Sequence, residues 1–205
     1  MHAYCTFGKK IIAMKGLFIA LGIILLIVLM GGCSYNGMNA ASKEVDQKWA
    51  DVQSSYQRRS DLIPNLVATV KGAANFETTT LTQVIQARAS ASSIKVDAKD
   101  LTPEKLQQFQ ASQGQLSQAL GRLMVVSEQY PQLKASENFK SLQDQLEGTE
   151  NRIKVARDDF NQAAKDYNVK VSNFPANILA GMFHFKERPL FQADQAAQSA
   201  PKVQF

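Results

Sequence analysis

The chain has 205 residues, 45% of them apolar and 20% charged, with two cysteines and a formal net charge of +5. That length suits one domain, with or without an anchor. Two cysteines cannot staple a scaffold, and so apolar a composition excludes wholesale disorder. Lys9, Lys10 and Lys15 supply three of the charges before residue 34. The remainder carries 20 basic and 18 acidic side chains, too even a mixture for the clustered basic face that nucleic-acid binding needs.

From Gly16 to Cys33 the chain reads GLFIALGIILLIVLMGGC, 18 residues without a charge. As a helix this run would span roughly 27 Å, between a secretory apolar core and a full crossing of the hydrocarbon layer. It has no polar face, as a buried core helix would, so membrane insertion is the expectation. The three lysines precede it, which keeps the amino terminus cytoplasmic and sends the body across. Leu29-Met30-Gly31-Gly32-Cys33 resembles a bacterial lipoprotein cleavage box, with Met30 where leucine is usual. Lipidation at Cys33 and an uncleaved membrane helix therefore stay as alternatives. Met14-Lys15-Gly16 also reads as a natural start, which would leave His2 and Cys5 outside the working chain.

Beyond Asn36-Gly37 the apolar residues alternate at spacings of three and four. Val45, Trp49, Val52, Tyr56, Ile63, Leu66 and Val70 make one run, with Arg59 at the remaining slot. Leu81, Val84 and Ala91 make a second, interrupted by Arg88. Leu106, Phe109, Leu116, Leu120, Leu123 and Ser127 make a third, interrupted by Gln113. Phe139, Leu142, Leu146, Thr149, Ile153, Ala156, Phe160, Ala163 and Tyr167 make the fourth. Such spacing puts each run on one stripe of a helix, and nothing comparable alternates with period two. The expected fold is all-α: an elongated antiparallel bundle of about four long helices after a membrane segment. The expected divisions are an anchor at 1–33, a bundle at 34–175, and a short helix with a mobile tail at 176–205.

Punctuation sharpens the boundaries. Thr78–Thr80 offer a capping threonine for the second helix. Thr102 followed by Pro103 reads as a cap with proline at the first helical position. Tyr130-Pro131 and Asn173-Phe174-Pro175 end the third and fourth helices. Pro64 is expected to kink the first or split it into 38–62 and 64–74. One more helical turn is expected near Asn177–Phe183, while Phe183, Phe185, Phe191 and Phe205 are free to dock singly.

Charges on or beside the seam define a candidate cluster of Arg59, Asp61, Glu77, Arg88, Glu150, Arg152 and Arg157. A buried guanidinium needs a partner, and Glu77, Glu150 and Asp61 are the expected ones. The cluster reads first as a device that sets helix register and second as a pocket for an anionic ligand or partner. No enzyme is expected. His184 is the single histidine after the anchor and sits between aromatics, no phosphate-binding glycine loop occurs, and Asp158-Asp159 diverge on one helix. A metal site and a cofactor are likewise not expected.

Arg58-Arg59-Ser60-Asp61-Leu62-Ile63-Pro64-Asn65-Leu66-Val67 and Glu150-Asn151-Arg152-Ile153 resemble the LemA family. So do Tyr35-Asn36, Ala87-Arg88, Ala156-Arg157, Phe160-Asn161, Tyr167-Asn168 and Asn173-Phe174-Pro175, a resemblance covering 34–190. It implies a bacterial protein with an amino-terminal membrane segment, a long-helix domain, and a non-enzymatic envelope role whose biochemistry is poorly defined. Members usually carry an ordinary spanning helix, so Cys33 departs from the family. The partners then expected are the membrane, an unidentified envelope protein, and a second copy of the chain.

Overall fold

The computed structural model describes residues 2–72 and 77–192, with side chains at 21–22, 31–72 and 77–192. Readings that involve Lys9, Lys10, Lys15, His2, Cys5, Asn75, Phe76 or the tail from 193 to Phe205 lie outside those side chains. All regular structure among the described residues is helical: α1 His2–Lys71, α2 Thr78–Ser93, α3 Pro103–Ser127, α4 Pro131–Ala135, α5 Glu137–Ser172 and α6 Ala176–Met182, plus a 3₁₀ turn at Ala98–Asp100. Of the apolar run, only positions 21–22 and 31–33 have described side chains. Among the described residues no helix is long and apolar enough to cross a membrane.

The chain forms two compact units. One joins Tyr167–Glu187 to the chain up to Ser42; the other joins Lys43–Asp166 to the chain from Arg188 onward. In the larger unit, pairs of contacts set the helix directions. Lys48 meets Asp159 while Arg59 meets Glu150, so α1 and α5 run antiparallel. Gln83 meets Arg122 while Ala91 meets Gln113, so α2 and α3 are antiparallel as well. Every apolar residue assigned to the four seams is buried, along with Thr149 and Ser127. The stripe is legible because a 3-4 spacing returns to the same helix face each two turns.

The boundaries differ from expectation in three places. First, α1 continues through Pro64 rather than splitting there. Second, α2 begins after Glu77, which caps it without a side-chain bond; Thr78, Thr79 and Thr80 lie inside the helix. Third, Pro131 not only follows the end of α3 but opens the short α4, since a proline at the first helical position loses no intrahelical bond. The Thr102 cap holds: its hydroxyl accepts from Lys105 N–H at 3.3 Å, with Pro103 next. A backbone N–H, and after it the same hydroxyl, keep the Glu104 carboxyl below its ordinary range. Thr102→Ala is expected to lower stability by about 1 kcal/mol in chemical denaturation.

In the smaller unit, Met38, Ala41, Tyr167, Val171 and Ala180 are buried. The expected extra turn is α6. Its end is a Schellman-type closure: Phe185 N–H donates to the Ala180 carbonyl at 2.9 Å and His184 N–H to Gly181 at 3.4 Å. His184 takes the left-handed position, with φ 59°, where glycine is usual. The turn brings Phe183 and Phe185 onto Tyr35, with ring centroids 4.9 and 5.6 Å away.

Candidate functional site: a polar cavity built around Arg59

The larger unit holds a cavity of about 380 Å³ between α1, α3 and α5, lined by Tyr56, Arg59, Gln113, Ser117, Glu150 and Arg157 among others. Its centre is Arg59, only 1% exposed. One terminal nitrogen donates to Glu150 Oε1 and to Ser117 Oγ, both at 2.8 Å. The other donates to the Gln113 side-chain oxygen at 2.5 Å and to its carbonyl at 3.3 Å. Gln113 in turn donates to the Ala91 carbonyl at 3.4 Å. A single guanidinium thus ties α1 to α3 and α5, and through Gln113 to α2. Its planar fork makes this possible, whereas a lysine could not reach all these acceptors in fixed geometry. The guanidinium also lies 5.0 Å from the Tyr56 ring centroid. Its Nε is buried without a hydrogen-bond partner.

Arg157 lines the same cavity and stacks its guanidinium 4.7 Å from the Phe191 ring centroid. The chain after Arg188 crosses here as a strap. Asn161 and the Phe191 backbone bond reciprocally, at 2.8 and 3.2 Å. Gln110 donates to the Gln192 carbonyl at 2.9 Å, and Arg188 reaches Asp46 at 3.0 Å as well as the Ala98 carbonyl. Burial pushes the Tyr56 phenol above its usual range despite the opposing pull of Arg157 and Arg59. It therefore stays protonated throughout the physiological range.

Arg88 has a different task from the one expected. Pro64 has no N–H, so the Ser60 carbonyl loses its intrahelical donor. Arg88 Nε replaces it from α2 at 2.9 Å, and the Ser60 and Ser92 hydroxyls meet beside it at 3.0 Å. This is how α1 passes through its proline with the freed acceptor satisfied. Arg88→Leu is expected to destabilise the unit by about 1–2 kcal/mol, because it strands that carbonyl. Unfolding midpoints of Arg88→Leu and Arg88→Lys against wild type check this.

Of the seven charged candidates, Arg59, Glu150 and Arg157 come together at the cavity. Asp61 is exposed and accepts from Gln57 on its own helix at 2.7 Å. Glu77 caps α2, Arg152 is exposed, and Arg88 sits with Ser60. The expected acid partners of the arginines thus reduce to Glu150. Cys33 is an exposed free thiol. The partners missed from sequence were Gln113, Ser117 and Tyr56. Gln113 had left a signal, since it interrupts the α3 seam as Arg59 interrupts that of α1. Chemically, the cavity offers guanidinium donors, the Ser117 hydroxyl, the Glu150 carboxylate and the Tyr56 phenol. Among the described residues, no three His, Cys, Asp or Glu side chains are grouped to hold a metal ion.

Residues 48–205 match the LemA family. The chain belongs to the LemA family. A LemA protein of Metamycoplasma hominis is 26% identical over 84% of the chain and 78% of its own length. Magnetosome protein MamQ 2 of Paramagnetospirillum magneticum is 38% identical over 42% of the chain. MamQ of Magnetospirillum gryphiswaldense is 35% identical over the same share. The chain spans about a third of the length of these magnetosome relatives (32%). The LemA resemblance read from the Arg58–Val67 and Glu150–Ile153 segments is therefore correct, and these are the segments that build the Arg59 knot and the Pro64 repair.

Proposed function

We propose that this LemA family protein is a membrane-anchored, non-enzymatic helical scaffold of the bacterial envelope, which presents its bundle to another envelope protein. The carrying observation is the charge-free run Gly16–Cys33, which lies within the same continuous helix, α1, that supplies the Arg59 side of the bundle. The lysines before the run favour a cytoplasmic amino terminus and an extracytoplasmic body. The Arg59 knot supports the scaffold reading, since its two terminal nitrogens tie α1 to α3 and α5 and, through Gln113, to α2.

Fractionation of cells that make the full chain tests the anchor. The protein is expected to stay with membranes through an alkaline carbonate wash and to come off in detergent; release by carbonate alone would overturn the reading. Intact mass of the native protein separates a spanning helix from a chain cleaved and lipidated at Cys33. A second reading, an accessory or sensor subunit for an envelope protease or other hydrolase, is favoured by the polar cavity that Arg59, Glu150 and Arg157 line. In-cell crosslinking with mass spectrometry separates the two: a stable structural partner or a second copy supports the scaffold, a hydrolase supports the accessory.

A further inference from the structure

The smaller unit shows an apolar surface that its own fold leaves in water. Phe174 is 80% exposed, Met182 68%, Ile178 58% and Phe183 52%. Ile178 and Met182 are one turn apart on α6, with Phe174 a turn before them and Phe183 at the helix end. Ala180, by contrast, is buried and Leu179 half-buried on the inward side. Four large exposed apolar side chains on and beside one short helix mark a contact surface, where scattered single ones would need no explanation.

We infer that this α6 face rests on the lipid surface, as a second membrane contact beside the anchor. The inference depends on the anchoring reading above. Three observations choose lipid over a protein occupant. The first is depth: Leu179 Cδ1 lies 3.9 Å from where a Cβ would stand on Gly31. Gly31 is two residues before the end of the charge-free run, about 3 Å along a helix, so α6 packs at the level where that run leaves the hydrocarbon. The second is aromatic content: Tyr35, half a turn beyond Cys33, packs edge-on to Phe183 and Phe185. Such a cluster suits the headgroup level, where amphipathic rings concentrate. The third is charge. Gly16–Ser42 and Val171–Phe185 hold no Asp, Glu, Lys or Arg, while Lys170 and Lys186 bracket the second stretch. The stretch is uncharged, its exposed polar groups being Ser172, Asn173, Asn177 and His184, and the two lysines at its ends can reach headgroup phosphates. The left-handed His184 closes α6 so that Phe183 and Phe185 stay beside Tyr35.

The test uses the full chain reconstituted in phosphatidylcholine vesicles, with Ile178→Trp and, separately, Met182→Trp. Both sites are exposed, so the larger ring needs no repacking. Trp49, the single native tryptophan, is buried in the other unit and serves as an internal reference. In vesicles whose acyl chains are brominated near the headgroup, the added tryptophan is expected to emit roughly twofold more weakly than in unbrominated ones, with wild type unchanged, as befits a residue at the interface. Flotation with the vesicles after a carbonate wash reads the anchor independently. A chain that floats while its added tryptophan is untouched by bromine and quenched by acrylamide places the face in water and overturns the inference alone. Shielding from both quenchers in a floating chain means that protein, such as a second copy, covers the face, and overturns it too. A chain that fails to float overturns the anchor, and this inference with it.

Discussion

Trp49→Ala is expected to remove roughly 4 kcal/mol of stability, the largest effect of any single truncation in the larger unit. Trp49 is 1% exposed, and its ring meets Phe109 at 5.4 Å, Phe160 at 5.5 Å and Phe191 at 6.1 Å between centroids. Those partners come from α3, α5 and the strap, so their packing shares one side chain. Truncation leaves a void bounded by rigid helices that cannot collapse into it, and the cavity term adds to the lost transfer energy. The indole N–H also donates to the Val96 carbonyl at 2.9 Å. Gln53 donates to that same oxygen at 2.9 Å, so Trp49→Phe leaves the carbonyl satisfied and is expected to cost only about 1 kcal/mol. Urea titrations followed by circular dichroism measure both. A loss under about 2 kcal/mol for Trp49→Ala would show that the aromatic cluster is not the keystone of this packing.

The second large effect concerns the Arg59 knot, where the two partners should respond unequally. Glu150→Ala leaves a guanidinium in the core with no carboxylate, and uncompensated buried charge is the costly case. Glu150 is itself 47% exposed on its side chain, so water screens part of the pair, and a loss of roughly 2–3 kcal/mol is expected. Arg59→Met removes the charge while keeping most of the stem's volume, and Glu150 can then turn to water. Its cost should be nearer 1 kcal/mol, most of it from the Gln113 oxygen left behind. The double variant should be more stable than Glu150→Ala alone, since the energies of touching residues do not add. Denaturation midpoints of the three variants decide it. Equal costs for the two single changes would mean that Gln113 and Ser117 hold the charge without help from Glu150.

How much of this was legible beforehand depends on the range of each interaction. Amphipathic spacing is a local property, so the buried stripes of α1, α2, α3 and α5 could be read from the chain, down to the slots filled by Arg59, Gln113 and Thr149. The Thr102-Pro103 cap is local in the same way, as is the turn that became α6. The motifs around Arg58–Val67 and Glu150–Ile153 carried the family.

What the chain alone left open depends on residues that folding brings from far away. Pro64 announces a missing donor at Ser60, but whether the helix breaks there turns on whether another helix supplies one. Arg88, 28 positions from Ser60, does so. Arg59 announces a buried charge, yet choosing Glu150 over Asp61 and Glu77 required the antiparallel register of α1 and α5, because Asp61 lies on the outer side of its own helix. Phe191 stands in a segment without periodicity, so only the packed surface of Trp49, Phe160 and Arg157 could show where it docks. Local periodicity thus determined the helices and their inward faces; the meeting of side chains from different helices, which no single-helix pattern encodes, decided the polar cavity and the repaired proline.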